Sequence, residues 1–307
     1  MINPTEAVPM QPSQNGLIAR FLDEESLPAN FATIITDWYL PLVRALSSMT
    51  AARDRPLIVG INGAQGTGKS TLARFLDLML TQQSLRVANL SLDDFYLDIT
   101  RRQKLARTIH PLLATRGVPS THDIDLAQQV MDTLADPESR GELLLPRFDK
   151  ALDDQKPRSL WDPVELPVDV VLLEGWFVGL RPQDDKLLLS PINALEIDED
   201  PDATWRTYVN KRLSEYQPLF RGIDYLIMLK APSFDCVYRW RSVQEQKLAA
   251  ATSAGESKIM NPAALNRFIQ HFERLTRHSL ETLPEQANLV LTLNADHGID
   301  YGQPAMR

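Results

Sequence analysis

Residues 63–70 read Gly63-Ala64-Gln65-Gly66-Thr67-Gly68-Lys69-Ser70. They match the phosphate-loop pattern G-x-x-x-x-G-K-[ST], in which glycines let backbone N–H groups approach phosphate oxygens without obstruction by a Cβ atom. Lys69 can reach the β- and γ-phosphates of a nucleotide, and Ser70 can ligate Mg²⁺. The motif predicts a nucleoside triphosphate ligand. The nucleotide-binding residues that we expect from it are Gly63, Ala64, Gln65, Gly66, Thr67, Gly68, Lys69, Ser70 and Thr71.

The flanks of this loop predict a strand before it and a helix after it. Residues 57–61 form an apolar run that is typical of a buried strand. Downstream, apolar residues recur at helical spacing, at Leu72, Phe75, Leu76, Met79 and Leu80. Bound phosphates would therefore lie at a helix N-terminus, where unsatisfied N–H groups and the helix dipole favour an anion.

The composition is that of a globular chain with a sizeable core. Of its 307 residues 44% are hydrophobic and 23% are charged, and the net charge of −8 argues against broad nucleic-acid binding. A single cysteine, Cys236, excludes an intrachain disulfide. No apolar run approaches the roughly 20 residues of a membrane span, and no signal-peptide pattern opens the chain. We expect a cytoplasmic protein with a small-molecule substrate and no nucleic-acid or membrane partner; monomer and homodimer both stay open.

Predicted strands and helices alternate after residue 56. Further strands are expected at residues 87–92, 168–173, 225–229 and 289–293, with helical patterns between them. This alternation predicts an α/β fold of the three-layer P-loop NTP hydrolase or kinase type, with a mainly parallel sheet flanked by helices. Ligands of such sheets gather at the carboxyl ends of the strands, so the loop, Asp93 and Glu174 should converge there.

Phosphoryl transfer to an alcohol requires a phosphate cradle, a metal-holding carboxylate and a group that accepts the hydroxyl proton. The loop supplies the cradle, with Lys69 as its catalytic cation. Glu174 follows an apolar run and is the expected Mg²⁺ anchor together with Ser70. Asp93 ends the second predicted strand and is the candidate base. Asp94 either ligates the metal or caps a turn.

Two other clusters have both a functional and a structural interpretation. Arg147 and Lys150 flank a carboxylate and could bind an anionic acceptor, although a surface ion pair explains them nearly as well. His122 and Asp123 belong either to an acceptor site or to the cap of the helix predicted from Ile124.

The N-terminal 55 residues are expected to be an extension of the nucleotide-binding domain at residues 56–307. Residues 1–16 are rich in polar residues and proline, which predicts a disordered tail. Residues 31–46 predict one or two helices that Pro41 interrupts. Within the domain we expect acceptor-binding insertions at about 100–160 and a helical lid at about 233–260, with Arg239 and Arg241 closing over ATP.

Five segments taken together resemble the D-glycerate 3-kinase group of the phosphoribulokinase and uridine kinase superfamily. They are residues 63–71, 91–96, 121–123, 146–150 and 171–176, and the resemblance covers roughly residues 35–295. It implies that Asp93 is the catalytic base and that Glu174 helps to hold Mg²⁺. The acceptor-binding residues that we expect on this basis are Asp94, Tyr96, His122, Asp123, Arg147 and Lys150. The chain departs from the group at residues 116–120 and 151–158, where the group often carries glycine-rich segments.

The resemblance implies a kinase that transfers the γ-phosphate of ATP, with Mg²⁺, to a hydroxyl of D-glycerate, which yields 3-phosphoglycerate. Uridine, pantothenate and pentose phosphates are alternative acceptors. A regulatory ATPase without an acceptor is an alternative from another class. Two signatures of nucleotide switches and transporters are absent from the sequence, the guanine-reading Asn-Lys-x-Asp and the Leu-Ser-Gly-Gly-Gln of transporter ATPases.

Overall fold

The computed structural model describes residues 12–251 and 261–304. The helices are α1 (Pro12–Glu24), α2 (Phe31–Ile34), α3 (Leu40–Ala51), α4 (Lys69–Thr81), α5 (Ile99–Thr108), α6 (Ile124–Ala135), α7 (Ala194–Glu199), α8 (Thr204–Leu213), α9 (Gln217–Arg221), α10 (Phe234–Ala251) and α11 (Pro262–Thr282). The strands are β1 (Leu57–Gly63), β2 (Val87–Ser91), β3 (Gly141–Leu145), β4 (Phe148–Asp149), β5 (Asp154–Gln155), β6 (Asp162–Leu166), β7 (Val170–Gly175), β8 (Tyr225–Lys230), β9 (Leu289–Leu293) and β10 (Ile299–Pro304).

The main sheet has six strands in the order β10-β9-β8-β1-β7-β2. All neighbours pair in parallel except β9 and β10, which are antiparallel. The prediction of a mainly parallel sheet flanked by helices is therefore confirmed. Strand β10 was not predicted, because Asp300, Gly302 and Pro304 break the apolar pattern of a strand, and an edge position tolerates all three.

Two hydrophobic cores lie on opposite faces of this sheet. Along β1, Leu57 and Val59 face the core beneath α3 and α4, whereas Ile58 faces the other core. Alternate side chains of a strand point to opposite faces, so the complete burial of β1 requires helices on both sides. The apolar strands thus hold the carboxyl ends of β1, β2 and β7 side by side.

The N-terminal extension is more ordered than its composition predicts. Residues 12–16 belong to α1, so the predicted disordered tail is wrong for this part; residues 1–11 lie outside the described residues. The physical reason is that α1 has an apolar stripe, in which Ile18 and Phe21 are buried. The Phe21 ring packs edge-on against Phe75 of α4, with 5.2 Å between ring centroids.

Pro41 does not interrupt the helical segment as predicted. A π-helical turn over Ile35–Tyr39 joins α2 to α3, and Pro41 lies in the first turn of α3. Proline lacks the N–H that would bond four residues back, and a wider turn before it accommodates this loss.

The region from about residue 100 to 160 contains α5, α6, β3, β4 and β5. Strand β4 pairs with β5, and β3 pairs with β6 just beyond this region; both pairs are antiparallel. Helix α5 ends at Thr108, before a 3₁₀ turn that starts at Pro111. Among the described residues, no helix is both long and apolar enough to cross a membrane. The end of the predicted lid, residues 252–260, lies outside the described residues.

Candidate active site

The phosphate loop joins β1 to the N-terminus of α4. Gly66 and Gly68 have φ angles of +82° and +86°, which L side chains rarely adopt. A Cβ atom on Gly66 would also lie 2.8 Å from the Cβ of Trp240, so α10 packs directly on the loop. Gly68 caps α4 in the left-handed region, so the loop leads directly into a helix N-terminus, where unpaired N–H groups favour an anion.

Glu174 meets the loop from the end of β7, as its position after an apolar run predicts. Ser70 Oγ donates to Glu174 Oε1 at 2.8 Å, and Lys69 Nζ lies 3.8 Å from Glu174 Oε2. That second carboxylate oxygen is buried and has no hydrogen-bond partner in the structure. A buried, unsatisfied carboxylate oxygen beside a serine hydroxyl fits a Mg²⁺ ion whose other ligands are phosphates and waters.

Asp93 lies directly after β2, where two side chains hold its carboxylate. Tyr96 Oη donates to Asp93 Oδ1 at 2.7 Å, and Lys150 Nζ lies 2.7 Å from Asp93 Oδ2. Burial raises the pKa of Asp93, but the positive charges of Lys150 and Lys69 outweigh it and lower that pKa to about 2. Burial likewise lowers the pKa of Lys150, but the charge of Asp93 turns the net shift upward. Both groups are charged at neutral pH.

One cavity of about 370 Å³ joins the phosphate loop to Asp93 and Lys150, and Glu174 contacts Ser70 and Lys69 behind its lining. It is lined by the predicted residues Gln65, Gly66, Gly68, Lys69, Ser70, Thr71, Asp93, Tyr96, Lys150 and Arg241. It is also lined by residues that we did not predict as site residues, namely Arg74, Arg116, Trp176, Phe268 and Phe272. The structure therefore brings the phosphate loop and the candidate base into a single, strongly cationic pocket of an acidic protein.

Other predicted residues support the pocket from outside. Asp94 closes a capping box by accepting from the backbone N–H of Ser91 at 3.1 Å. Arg147 donates to Asp94 at 3.0 Å and to Asp162 at 2.7 Å. The turn-cap alternative thus describes Asp94, and the ion-pair alternative describes the contacts of Arg147, whose guanidinium is bound by two carboxylates.

His122 and Asp123 do not line this cavity but a second one, of about 310 Å³. Asp123 caps α6 by accepting from the backbone N–H of Leu126 at 3.2 Å, and it forms an ion pair with Arg101. His122 is buried, with its Nδ1 2.8 Å from Tyr216 Oη, and burial lowers its pKa to about 3. Asp123 therefore provides the cap predicted for this helix, whereas His122 packs in the interior beside Tyr216.

Four predicted nucleotide-binding residues do not line the cavity. Arg239 donates to Cys236 Sγ at 2.9 Å within α10. Gly63 and Ala64 lie at the end of β1 and the start of the loop, and Thr67 Oγ1 donates to the Ala64 carbonyl oxygen at 2.8 Å. Gly63, Ala64 and Thr67 therefore shape the loop.

Trp176 lines the cavity and is also a packing residue, in edge-on contact with Phe177 and Phe272. Only 3% of it is exposed, and its Nε1 donates to the Gly117 carbonyl oxygen at 3.0 Å. Arg116, the residue before Gly117, lies at the start of a segment that departs from the resembled family. That departure was the one sequence signal that could have identified Arg116.

Comparisons with known proteins show relatives along most of the chain, although no protein-family model matches it. The uncharacterized kinase mug58 of Schizosaccharomyces pombe is 33% identical over 256 residues, which are 81% of this chain and 90% of that protein. The chloroplastic D-glycerate 3-kinase of Arabidopsis thaliana is 29% identical over 236 residues, 74% of this chain and 48% of that protein. The structure of D-glycerate 3-kinase from Cryptococcus neoformans superposes with a TM-score of 0.69 at 24% identity, covering 87% of this chain and 98% of that one.

Proposed function

Because the chain belongs to the D-glycerate 3-kinase-like family of P-loop kinases, which are ATP-dependent phosphotransferases acting on alcohol groups, we propose that it phosphorylates D-glycerate to 3-phosphoglycerate. The observation that carries this proposal is the shared cavity of the phosphate loop and the Asp93–Lys150 pair. An ionised carboxylate beside the γ-phosphate position suits an alcohol acceptor, and a neighbouring cation suits an acceptor that is itself an anion. The names of the two D-glycerate 3-kinases among the similar proteins support the same acceptor.

The chemistry assigns a role to each group around the transferred phosphate. Lys69 and the loop N–H groups stabilise the charge on the β- and γ-phosphate oxygens. Ser70 and Glu174 would hold Mg²⁺, which neutralises phosphate charge when it is bound. Asp93 orients the acceptor hydroxyl and takes its proton as the phosphoryl group arrives. Arg241, from α10, faces the same cavity and would close over the nucleotide.

The test is ADP release with ATP·Mg²⁺ and a panel of acceptors. The panel contains D-glycerate, uridine, pantothenate, a pentose phosphate and no acceptor, with a folded Lys69→Ala variant as the inactive control. We expect D-glycerate to stimulate ADP release well above the acceptor-free rate, with 3-phosphoglycerate identified by mass spectrometry. Stronger stimulation by another acceptor would replace the substrate, and acceptor-independent hydrolysis alone would favour a regulatory ATPase.

A further inference from the structure

We propose that Arg116 and Lys150 together bind the carboxylate of the acceptor and thereby select short hydroxycarboxylates over neutral alcohols. The inference rests on the proposed kinase activity and extends it to a specificity residue, Arg116, that sequence patterns did not identify. Both side chains line the cavity that contains Asp93.

Lys150 and Arg116 both lie among the groups that surround Asp93, where the acceptor hydroxyl would bind. Lys150 is paired with Asp93 at 2.7 Å, and the positive charge of Arg116 acts on both Lys150 and Tyr96. The Arg116 guanidinium lies over the Phe148 ring, 5.6 Å from its centroid. An acceptor whose hydroxyl contacts Asp93 therefore has two cations within reach of its next substituent.

The charge balance of this end of the cavity favours one additional negative charge. Asp153 bridges Arg116 and the buried Arg102, which lies 2.9 Å from Asp153 Oδ2. With the Asp93–Lys150 pair, the group holds three cations and two carboxylates, so its net charge is +1. One carboxylate neutralises that charge, whereas a neutral alcohol leaves it unmatched and a phosphate dianion exceeds it.

The backbone beside Arg116 is held in one conformation. Gly117 has a φ angle of +128°, and a Cβ atom there would lie 2.4 Å from the Phe272 ring. Its N–H donates to Thr121 Oγ1 at 2.9 Å, and its carbonyl oxygen accepts from Trp176 Nε1 at 3.0 Å. These contacts fix the backbone next to Arg116 before the acceptor binds, which lowers the conformational entropy lost on binding.

Carboxylate binding also alters the environment of the base. The acceptor carboxylate competes with Asp93 for Lys150, so Lys150 Nζ can leave Asp93 Oδ2 while Tyr96 keeps its bond to Oδ1. The released oxygen is then available to the acceptor hydroxyl. A neutral alcohol offers no such exchange, so the same two cations select the substrate and expose the base.

The experiment compares D-glycerate with glyceramide, in which a neutral amide replaces the carboxylate. We expect the wild-type protein to prefer D-glycerate and Arg116→Gln to raise KM for D-glycerate about 10- to 100-fold, the loss that one charged hydrogen bond accounts for. KM of Arg116→Gln for ATP should stay within about twofold of the wild-type value. Arg116→Lys should recover part of the preference for D-glycerate. Arg140→Gln, at an exposed position, is the control and should behave as wild type.

Each outcome separates this inference from the kinase assignment. Equal use of the two acceptors by the wild-type protein, or an unchanged preference in Arg116→Gln, would overturn the inference and leave the kinase intact. If no acceptor is phosphorylated, the proposed function fails instead. The carboxylate site is then tested by the shift in melting temperature that D-glycerate causes without ATP. A shift in the wild-type protein that is lost in Arg116→Gln supports the site. Equal shifts in the two proteins, or no shift in the wild-type protein, overturn it.

Discussion

At the residue scale, two opposing effects act on the protonation of Asp93. Burial alone would favour its protonated form, yet two lysines keep it charged and Tyr96 fixes its orientation. Phosphoryl transfer has a loose transition state, so a base in such a site contributes by orienting the hydroxyl and by taking its proton late. The carboxylate is thus both ionised and oriented within the cavity.

The first prediction concerns the rate contribution of this carboxylate. Asp93→Asn keeps the size of the side chain but cannot take a proton, so kcat should fall about 10²- to 10⁴-fold while the Kd for ATP stays near the wild-type value. Steady-state kinetics and nucleotide-binding titrations check both quantities. Asp23→Asn, at an exposed position of α1, is the control. A loss of ATP affinity equal to the loss of rate would make Asp93 a metal or structural residue instead.

The second prediction concerns pH. Because the pKa of Asp93 is lowered to about 2, its carboxylate is ionised throughout pH 5–8, and kcat/KM for D-glycerate should show no acid limb from it. Lys150→Gln removes a positive charge that lowers the pKa of Asp93, while burial still raises that pKa. The pKa of Asp93 should therefore rise, and an acid limb in the profile should move up toward pH 5–8. The pH profile of kcat/KM measures this shift, with the exposed Lys104→Gln as the control. Identical profiles for the wild-type protein and Lys150→Gln would contradict the role of Lys150.

Sequence reasoning located the residues whose positions follow from strand order. The loop, Asp93 and Glu174 all follow apolar strands, and parallel strands end at one edge of a sheet. Arg116 could not be found in this way, because it lies in a loop whose shape depends on Phe272 of α11, more than 150 residues away in sequence. For Arg147 the sequence left two interpretations open, an anion-binding cation or an ion pair, and only the fold shows that Asp94 and Asp162 both bind its guanidinium.

At the scale of elements, the correct predictions are those that depend on local periodicity. Strand β9 has the predicted bounds, Leu289–Leu293, because its residues are buried and apolar. The π-helical turn before Pro41 and the edge strand β10 depend instead on what packs beside them, and no local pattern contains that information. Tertiary context also fixes the backbone of the short segment at residues 116–120, where Gly117 packs against Phe272.

The third prediction tests that segment. Gly117→Ala would force a Cβ atom against Phe272 at a φ angle that alanine disfavours, so the free energy of unfolding should fall by about 1–3 kcal/mol. Because Arg116 would be displaced, KM for D-glycerate should rise while KM for ATP changes little. Chemical denaturation and steady-state kinetics measure these effects. Gly222→Ala is the matched control, since its nearest contact would be 3.4 Å and it has no positive φ angle; equal behaviour of the two variants would refute the proposed constraint.

At the scale of the whole molecule, the N-terminal extension belongs to the core that supports the phosphate loop. Ile18 and Phe21 join the same hydrophobic cluster as Leu72 and Phe75 of α4. Glu25, just after α1, also forms an ion pair with Arg74 of α4 at 2.8 Å. The helix whose N-terminus carries the loop is therefore covered by residues that precede the nucleotide-binding domain.

The fourth prediction follows from this arrangement. Phe21→Ala removes a buried ring from the contact with Phe75, so the free energy of unfolding should fall by roughly 3–5 kcal/mol, the usual cost of deleting a buried aromatic side chain. The exposed Arg20→Ala loses only a surface ion pair with Glu24 and should change it by less than about 1 kcal/mol. Phe21 does not line the cavity, so Phe21→Ala should retain the wild-type KM for ATP at temperatures where it is folded. Equal denaturation curves for the two variants would show that the extension folds apart from the nucleotide-binding domain.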